Sequence, residues 1–412
     1  MSRVREALRQ EFPPGVILVY LLAVVMTTTE GTLQLLFPPY LDGYGYALPI
    51  IGVLVSLLSV MRLASRLPVG AAYGADRAKR QLVVSLVALS VATGGYAFAD
   101  GRLLPVVGLT LAHGFAFGSL GTLVLAAIID MTGGHRAGAI MAWYTAALST
   151  GYAVGAFVGG ALGDAYGIPA ALGMASVLPF LGVGMVLVLP EFHGPPAPEV
   201  RAPGVRSFFA AVKGLDPRVW LAFVIVLYIN LVSDSVDAFF PLFGLSIGLS
   251  LSELGLLKGM KSAAATVIRF ASLGITRAVD YKVINFWGVV LMGVATIAVA
   301  YVNVFAAFAA LFIVLGLCRG ILRVTSAATV AELRKEGKDV GLASGVYNAG
   351  LDIGAIIGPT LGGVVASRVG IPLMFQLMAV LSLGAYFAVA LSTAPGRSSL
   401  AVRGGTGSAS AD

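Results

Sequence analysis

Residues 138–169 read GAIMAWYTAALSTGYAVGAFVGGALGDAYGIP, and residues 341–372 read GLASGVYNAGLDIGAIIGPTLGGVVASRVGIP. At an offset of 203 residues they match at Gly138 and Gly341, Tyr144 and Tyr347, Gly151 and Gly354, Gly155 and Gly358. Gly159-Gly160 then falls on Gly362-Gly363, and Gly167-Ile168-Pro169 on Gly370-Ile371-Pro372. Outside these stretches the same offset carries Pro38 onto Pro241, Gly52 onto Gly255 and Arg66 onto Arg269. With 52 glycines in 412 residues a single coincidence carries little, but one register held across both halves marks a duplication. Glycines at i, i+4 and i+8 leave one helix face bare of side chains, so that a neighbouring helix approaches closely and slides. Two such stripes in equivalent helices read as hinge or shear surfaces between two moving halves.

Working outward, the rest of the chain is equally apolar. Hydrophobic residues make up 58% and charged residues 11%, against roughly 25% charged in an average soluble domain. The mean hydropathy is +0.93. Too few polar groups remain to coat a water-facing globule, which excludes a soluble enzyme and a disordered chain alike. The single cysteine, Cys318, excludes a disulfide framework, and three dispersed histidines offer no metal-ligand spacing. No cofactor is expected.

A membrane-spanning helix needs about 20 mostly apolar residues. Cutting at Pro, Gly and charge clusters predicts twelve spans: 17–39, 49–71, 81–99, 103–129, 138–162, 169–190, 219–243, 252–274, 284–303, 305–331, 340–365 and 371–393. With the N-terminus in the cytoplasm, eighteen of the 27 basic residues fall in inner loops and tails and only Arg102 and Arg368 outside. Such an asymmetry sets orientation, so both termini are expected inside a cell (inner or plasma) membrane. It also accounts for the net charge of +7 without a nucleic-acid partner. The expected organisation is a six-helix bundle over 1–190 and a Pro-rich linker over 191–218. A second bundle follows over 219–393, then a disordered tail over 394–412. Within the linker, Arg206–Leu215 reads as a short amphipathic helix on the inner membrane surface. The fold class is an all-α integral membrane protein with twelve transmembrane helices in two parallel six-helix repeats, an architecture that encloses a midplane site.

The loop AYGADRAKRQ (72–81) resembles the cytoplasmic gating motif of the major facilitator superfamily, Gly-x-x-x-Asp-Arg-x-Gly-Arg-Arg. Asp76, Arg77 and Arg80 match it, while Ala72 and Lys79 stand at its glycine positions. The eleventh helix carries Gly354, Gly358-Pro359 and Gly362-Gly363, similar to the antiporter-type glycine motif of that family. In its exporters this motif belongs to helix five, which here has Ala156 at the proline position. The resemblance covers nearly the whole chain. It implies the major facilitator fold, a small-molecule substrate, protons as coupling ion, and gating by Asp76, Arg77, Arg80, Gly151, Gly155, Gly354, Gly358 and Pro359.

Ionisable groups inside hydrocarbon cost on the order of 2.5–3.5 kcal/mol each even on insertion scales, so they persist where they pair or face water. Glu30 lies about 20 Å into the first span and shares a face with Thr27 and Gln34. Its repeat partner, the seventh span, carries Asn230, Asp234 and Asp237 at i, i+4 and i+7. An acid nine residues before a helix-one proline, here Glu30 and Pro39, is similar to the proton-coupling position of drug–proton antiporters. Glu30, Asp234 and Asp237 are therefore the proton-coupling candidates. The competing reading of Glu30 is a carboxylate locked in a structural pair with Arg62 or Arg319.

The substrate-binding candidates are Arg62, His113, Tyr144, Lys258, Lys261, Arg319, Asn348 and Asp352. His113 occupies a place on helix four where the family carries a cavity-lining basic residue; a neutral histidine bonded to a neighbouring helix competes with that reading. Arg66, Arg269 and Arg323 lie near the inner ends and are expected to snorkel to the interface. Without them the intramembrane charges nearly balance. The leading expectation is a monomeric secondary transporter exporting a small amphipathic or drug-like compound in exchange for protons. Uptake or uniport of an organic anion or lipid-like substrate competes with it. A non-transporting receptor or scaffold has no use for the buried charges, and no catalytic constellation points to an enzyme.

Overall fold

A computed structural model describes residues 14–74, 76–132, 137–190, 215–332 and 340–392. All but the last residue of the expected interfacial helix Arg206–Leu215, the tail over 394–412 and most of the basic loop residues lie outside these. Among the described residues twelve long helices follow one another, and no strand occurs. They are α1 (Pro14–Gly43), α2 (Leu48–Ala72), α3 (Ala78–Gly95), α4 (Leu103–Thr132), α5 (Ala137–Tyr166) and α6 (Ile168–Val188). The second series is α7 (Pro217–Ser246), α8 (Leu251–Ala278), α9 (Tyr281–Val299), α10 (Phe305–Glu332), α11 (Val340–Val369) and α12 (Ile371–Ser392).

Eleven of the twelve are long and apolar enough to cross a membrane on composition alone. The exception, α8, carries Glu253, Lys258, Lys261, Arg269 and Arg277 and turns part of that charge inward. It begins with a full capping box, in which the Ser250 hydroxyl accepts from the Glu253 amide and the Glu253 carboxylate accepts from the Ser250 amide. α6 breaks at Ser176, because Pro179 supplies no N–H to the Ala175 carbonyl. Thr29 of α1 donates to that Ala175 carbonyl at 3.4 Å, and Ser90 of α3 donates to the neighbouring Ser176 carbonyl at 2.6 Å.

The duplication is written into the turns. Gly45 and Gly248, equivalent in the two repeats, close the α1–α2 and α7–α8 turns at φ 80° and 91°. Gly167 and Gly370 do the same between α5 and α6 and between α11 and α12, at 83° and 86°. Each position needs the left-handed backbone that only glycine adopts without strain.

It is also written into the packing. Gly151, Gly155 and Gly159 of α5 lie against Val24, Thr28 and Thr32 of α1; Gly354, Gly358 and Gly362 of α11 lie against Leu227, Leu231 and Ser235 of α7, the equivalent positions. Thr32 uses this closeness to donate across the helices to the Gly155 carbonyl at 2.8 Å. The glycine stripes thus fasten helices within each half, where the sequence reading expected sliding between halves. The contact between halves falls on the adjoining helix face, at Gly52 against Pro359, Gly255 against Ala156, Gly160 against Leu251 and Gly363 against Leu48.

All four contacts sit toward the ends where α2 and α8 begin, called here the outer side. Asp164 of α5 reinforces them by accepting from the Leu251 and Ser252 amides of α8 at 3.0 and 2.8 Å. A carboxylate from one half thereby caps the first turn of a helix in the other. Ser56 of α2 donates to the Ile356 carbonyl at 2.5 Å and accepts from Thr360 at 2.7 Å, both on α11. The outer side is closed.

Candidate functional site

Behind the closed outer side, two polar clusters face each other across a cavity of about 400 Å³. The first is built on α1. Glu30 is fully buried, and its Oε1 accepts from the Arg62 guanidinium of α2 and from Gln34 Nε2 at 2.9 Å. Its Oε2 faces His113 Nε2 of α4 at 2.9 Å. The other ring nitrogen of His113 lies 3.1 Å from Thr93 Oγ1, whose hydroxyl donates to the Leu89 carbonyl at 2.7 Å. Thr93 has one hydrogen and spends it on Leu89, so His113 Nδ1 is the donor to Thr93. One further proton then lies between His113 Nε2 and Glu30 Oε2. It makes either an imidazolium–carboxylate pair or a carboxylic acid donating to a neutral imidazole, and both carry the same proton count. Arg62 joins this cluster to the cavity, its guanidinium lying 5.1 Å over the Phe117 ring.

The second cluster is built on α7. Asp237 Oδ1 pairs with Lys261 of α8 at 2.9 Å, and Lys261 also donates to Ser233 at 2.7 Å. Arg319 of α10 reaches Asp237 and Asp234 at 3.4 Å each. Among the described residues Lys258 pairs with no carboxylate; it donates to two carbonyls, Gln34 at 2.9 Å and Asp237 at 3.3 Å. The first of these crosses between the halves, so Gln34 touches Glu30 through its side chain and Lys258 through its backbone.

The two lysines therefore differ. Lys261→Ala leaves a buried carboxylate short of its closest partner and is expected to destabilise the protein by about 3–5 kcal/mol. Lys258→Ala removes only carbonyl contacts and should cost less. Thermal unfolding of the purified variants checks the order, and a greater loss at position 258 would reverse these assignments.

Of the substrate-binding candidates, Arg62, Lys258, Lys261, Arg319 and Asp352 line the cavity, together with Asp234 and Asp237. Glu30 and His113 sit behind its wall, completely buried. Tyr144 is buried with its hydroxyl 3.4 Å from the Gly121 carbonyl, and Asn348 is exposed; neither reaches the cavity. The sequence reading also misplaced three arginines. Arg66, Arg269 and Arg323 line the cavity, where a water-filled space serves a charge as well as the headgroup region does.

Two of them occupy equivalent positions. Arg66 of α2 binds Asp352 of α11 at 2.9 Å, and Arg269 of α8 approaches Ser149 of α5 at 3.5 Å. Residues 149 and 352 stand in the same register as 66 and 269, so one ancestral contact survives as an ion pair in one place and as a weak polar contact in the other.

The gating loop takes a simpler form than expected. Asp76 pairs with the adjacent Arg77 at 3.3 Å, both side chains being largely exposed, and among the described residues nothing on α11 reaches them. Arg80 is exposed. The loop is held to α4 by Tyr73, whose hydroxyl donates to Asp130 at 2.5 Å; burial and that carboxylate push the Tyr73 phenol up. An exposed ion pair contributes about 1 kcal/mol or less. Asp76→Asn is accordingly expected to leave thermal unfolding unchanged while slowing transport in proteoliposomes, and an unchanged transport rate would remove the loop from the gating cycle.

The chain matches the family model of the Major Facilitator Superfamily over residues 19–305 and 279–408. No curated protein sequence matches it. Among solved structures it is similar to the nucleoside transporter NupG, at 14% identity, over 92% of this chain and 98% of that one, with a TM-score of 0.74. It is also similar to a bacterial homologue of the human lysosomal transporter Spinster in an inward-facing, unoccupied conformation. There the identity is 14%, the coverage 92% of this chain and 97% of the other, and the TM-score 0.69. At these identities the likeness is one of fold.

Proposed function

The chain belongs to the major facilitator superfamily, and on that premise we propose that it is a secondary transporter exporting a small organic anion by alternating access in exchange for protons. The observation that supports this most is the charge of the cavity: seven cationic side chains line it against three carboxylates, Asp234, Asp237 and Asp352. A recess of one sign draws ligands of the other. This favours an anion over the neutral amphipathic compound that the balanced count in the sequence suggested. The excess of basic residues in the inner loops of the sequence supports a cytoplasmic face for both termini, and a single chain carries a whole cavity.

Proton coupling is assigned to the Glu30–His113 pair. It holds one exchangeable proton in a sealed pocket, and Arg62 connects it to the cavity. The energetics favour export. One inward proton exchanged for one outward monoanion moves two charges down the membrane potential, about 4.6 kcal/mol at 100 mV, with about 1.4 kcal/mol more per pH unit. In symport the charges cancel and only the pH contribution remains.

The test is counterflow in proteoliposomes with labelled carboxylates, phosphate esters and their neutral analogues. Anions are expected to exchange and neutral analogues not; preferential exchange of the neutral compounds would sink the anion reading.

A further inference from the structure

Four of the seven cavity cations have a carboxylate partner: Arg62 with Glu30, Arg66 with Asp352, Lys261 with Asp237, and Arg319 with Asp234 and Asp237. Lys258 is occupied by two carbonyls. Two guanidiniums remain. Arg269 has only the 3.5 Å contact to Ser149, and Arg323 has neither an ion pair nor a side-chain hydrogen bond among the described residues.

These two stand near each other and near Arg319, close enough for the three charges to repel. Arg319 and Arg323 are also one turn apart on α10, where like charges oppose one another. A cluster of this kind, half-buried and turned into a cavity, is costly unless something neutralises it. Guanidinium forks match the planar or tetrahedral oxygens of carboxylate and phosphate in a bidentate manner. Phe117, Leu148 and Tyr152 also line the cavity and offer apolar surface for the rest of a molecule.

Resting on the anion-transport reading, we propose that Arg269 and Arg323 form an oxyanion subsite in the inner half of the cavity and that the substrate carries a dianionic group there. Three of the four paired cations, Arg62, Lys261 and Arg319, are neutralised by carboxylates of their own half and Arg66 by Asp352 across the halves, which leaves the charge of the ligand to these two arginines.

The test uses the purified full-length protein in phosphate-free buffer at pH 8 with three probes of similar size: phenyl phosphate, benzoate and benzyl alcohol. Phenyl phosphate is expected to raise the unfolding temperature most. Arg269→Gln and Arg323→Gln should each weaken its binding by about tenfold or more, with a smaller effect on benzoate. Arg269→Lys should lie between. Without ligand, both glutamine variants should melt no lower than the parent protein, because a repelling charge has been removed; a markedly lower melting point would assign the arginines a structural role and overturn the subsite. Anions that bind the parent and both variants equally would also overturn it, leaving the anion reading intact. Parallel loss of phenyl phosphate and benzoate would overturn the dianion assignment. Binding of benzyl alcohol alone, or of no anion at all, would overturn the subsite and the anion reading together.

Discussion

Glu30→Gln is expected to abolish pH-driven accumulation of substrate while preserving substrate binding and counterflow exchange. The hydrogen-bond geometry explains why the two should separate. The introduced amide oxygen still accepts from Arg62 and Gln34, and its NH₂ group donates to His113 Nε2. His113 then remains neutral, with its hydrogen on Nδ1 toward Thr93. The network keeps its shape and loses one proton. For one-for-one exchange, a pH difference of one unit supplies about 1.4 kcal/mol, a concentration ratio of about tenfold in the parent protein. That ratio should collapse toward unity in the variant when only a pH difference is imposed on proteoliposomes. A variant that still concentrates the anion under these conditions would move coupling away from this pair, and Asp234 and Asp237 would be the next carboxylates to substitute.

Why Glu30 was legible and its surroundings were not follows from the physics of each. A carboxylate in the middle of an apolar span is expensive, so its presence signals a role or a partner in any sequence. Which partner it takes depends on helix rotation: the sequence left Arg62 and Arg319 open, and the folded chain chooses Arg62. The same ignorance of rotation misplaced Arg66, Arg269 and Arg323. Depth along a helix is countable, whereas facing lipid or facing a cavity is a property of the assembled bundle. One usable signal was present, since Arg66 and Arg269 fall on each other at the repeat offset, and a repeated charge is hard to reconcile with incidental snorkelling.

The spans were nearly complete in the hydropathy pattern, as with 103–129 against Leu103–Thr132. The shift at 284–303, realised as Tyr281–Val299, has a local cause. Asp280 caps that helix by accepting from the Lys282 amide at 2.9 Å, which starts it earlier than the apolar run does.

The second large effect is expected at the glycines between the halves. A Cβ at Gly255 would collide with the Ala156 carbonyl, and one at Gly52 with the Pro359 carbonyl, backbone atoms that cannot turn aside. These contacts close the outer side, so a larger residue there should wedge it open without disturbing either half internally. Gly255→Val is expected to stop transport almost completely. It should also expose the cavity from outside: with Cys318→Ser removing the native thiol, Val55→Cys on the cavity wall should react with a membrane-impermeant maleimide only when the wedge is present. Gly184→Val, at a position with open space around it, supplies the control for mere bulk. The alternating-access reading requires the two outcomes to occur together, because a protein that cannot close outside cannot release inside. Normal transport by Gly255→Val, or lost transport with Val55→Cys still shielded, would show that the paired glycines only pack the bundle and that closure occurs elsewhere.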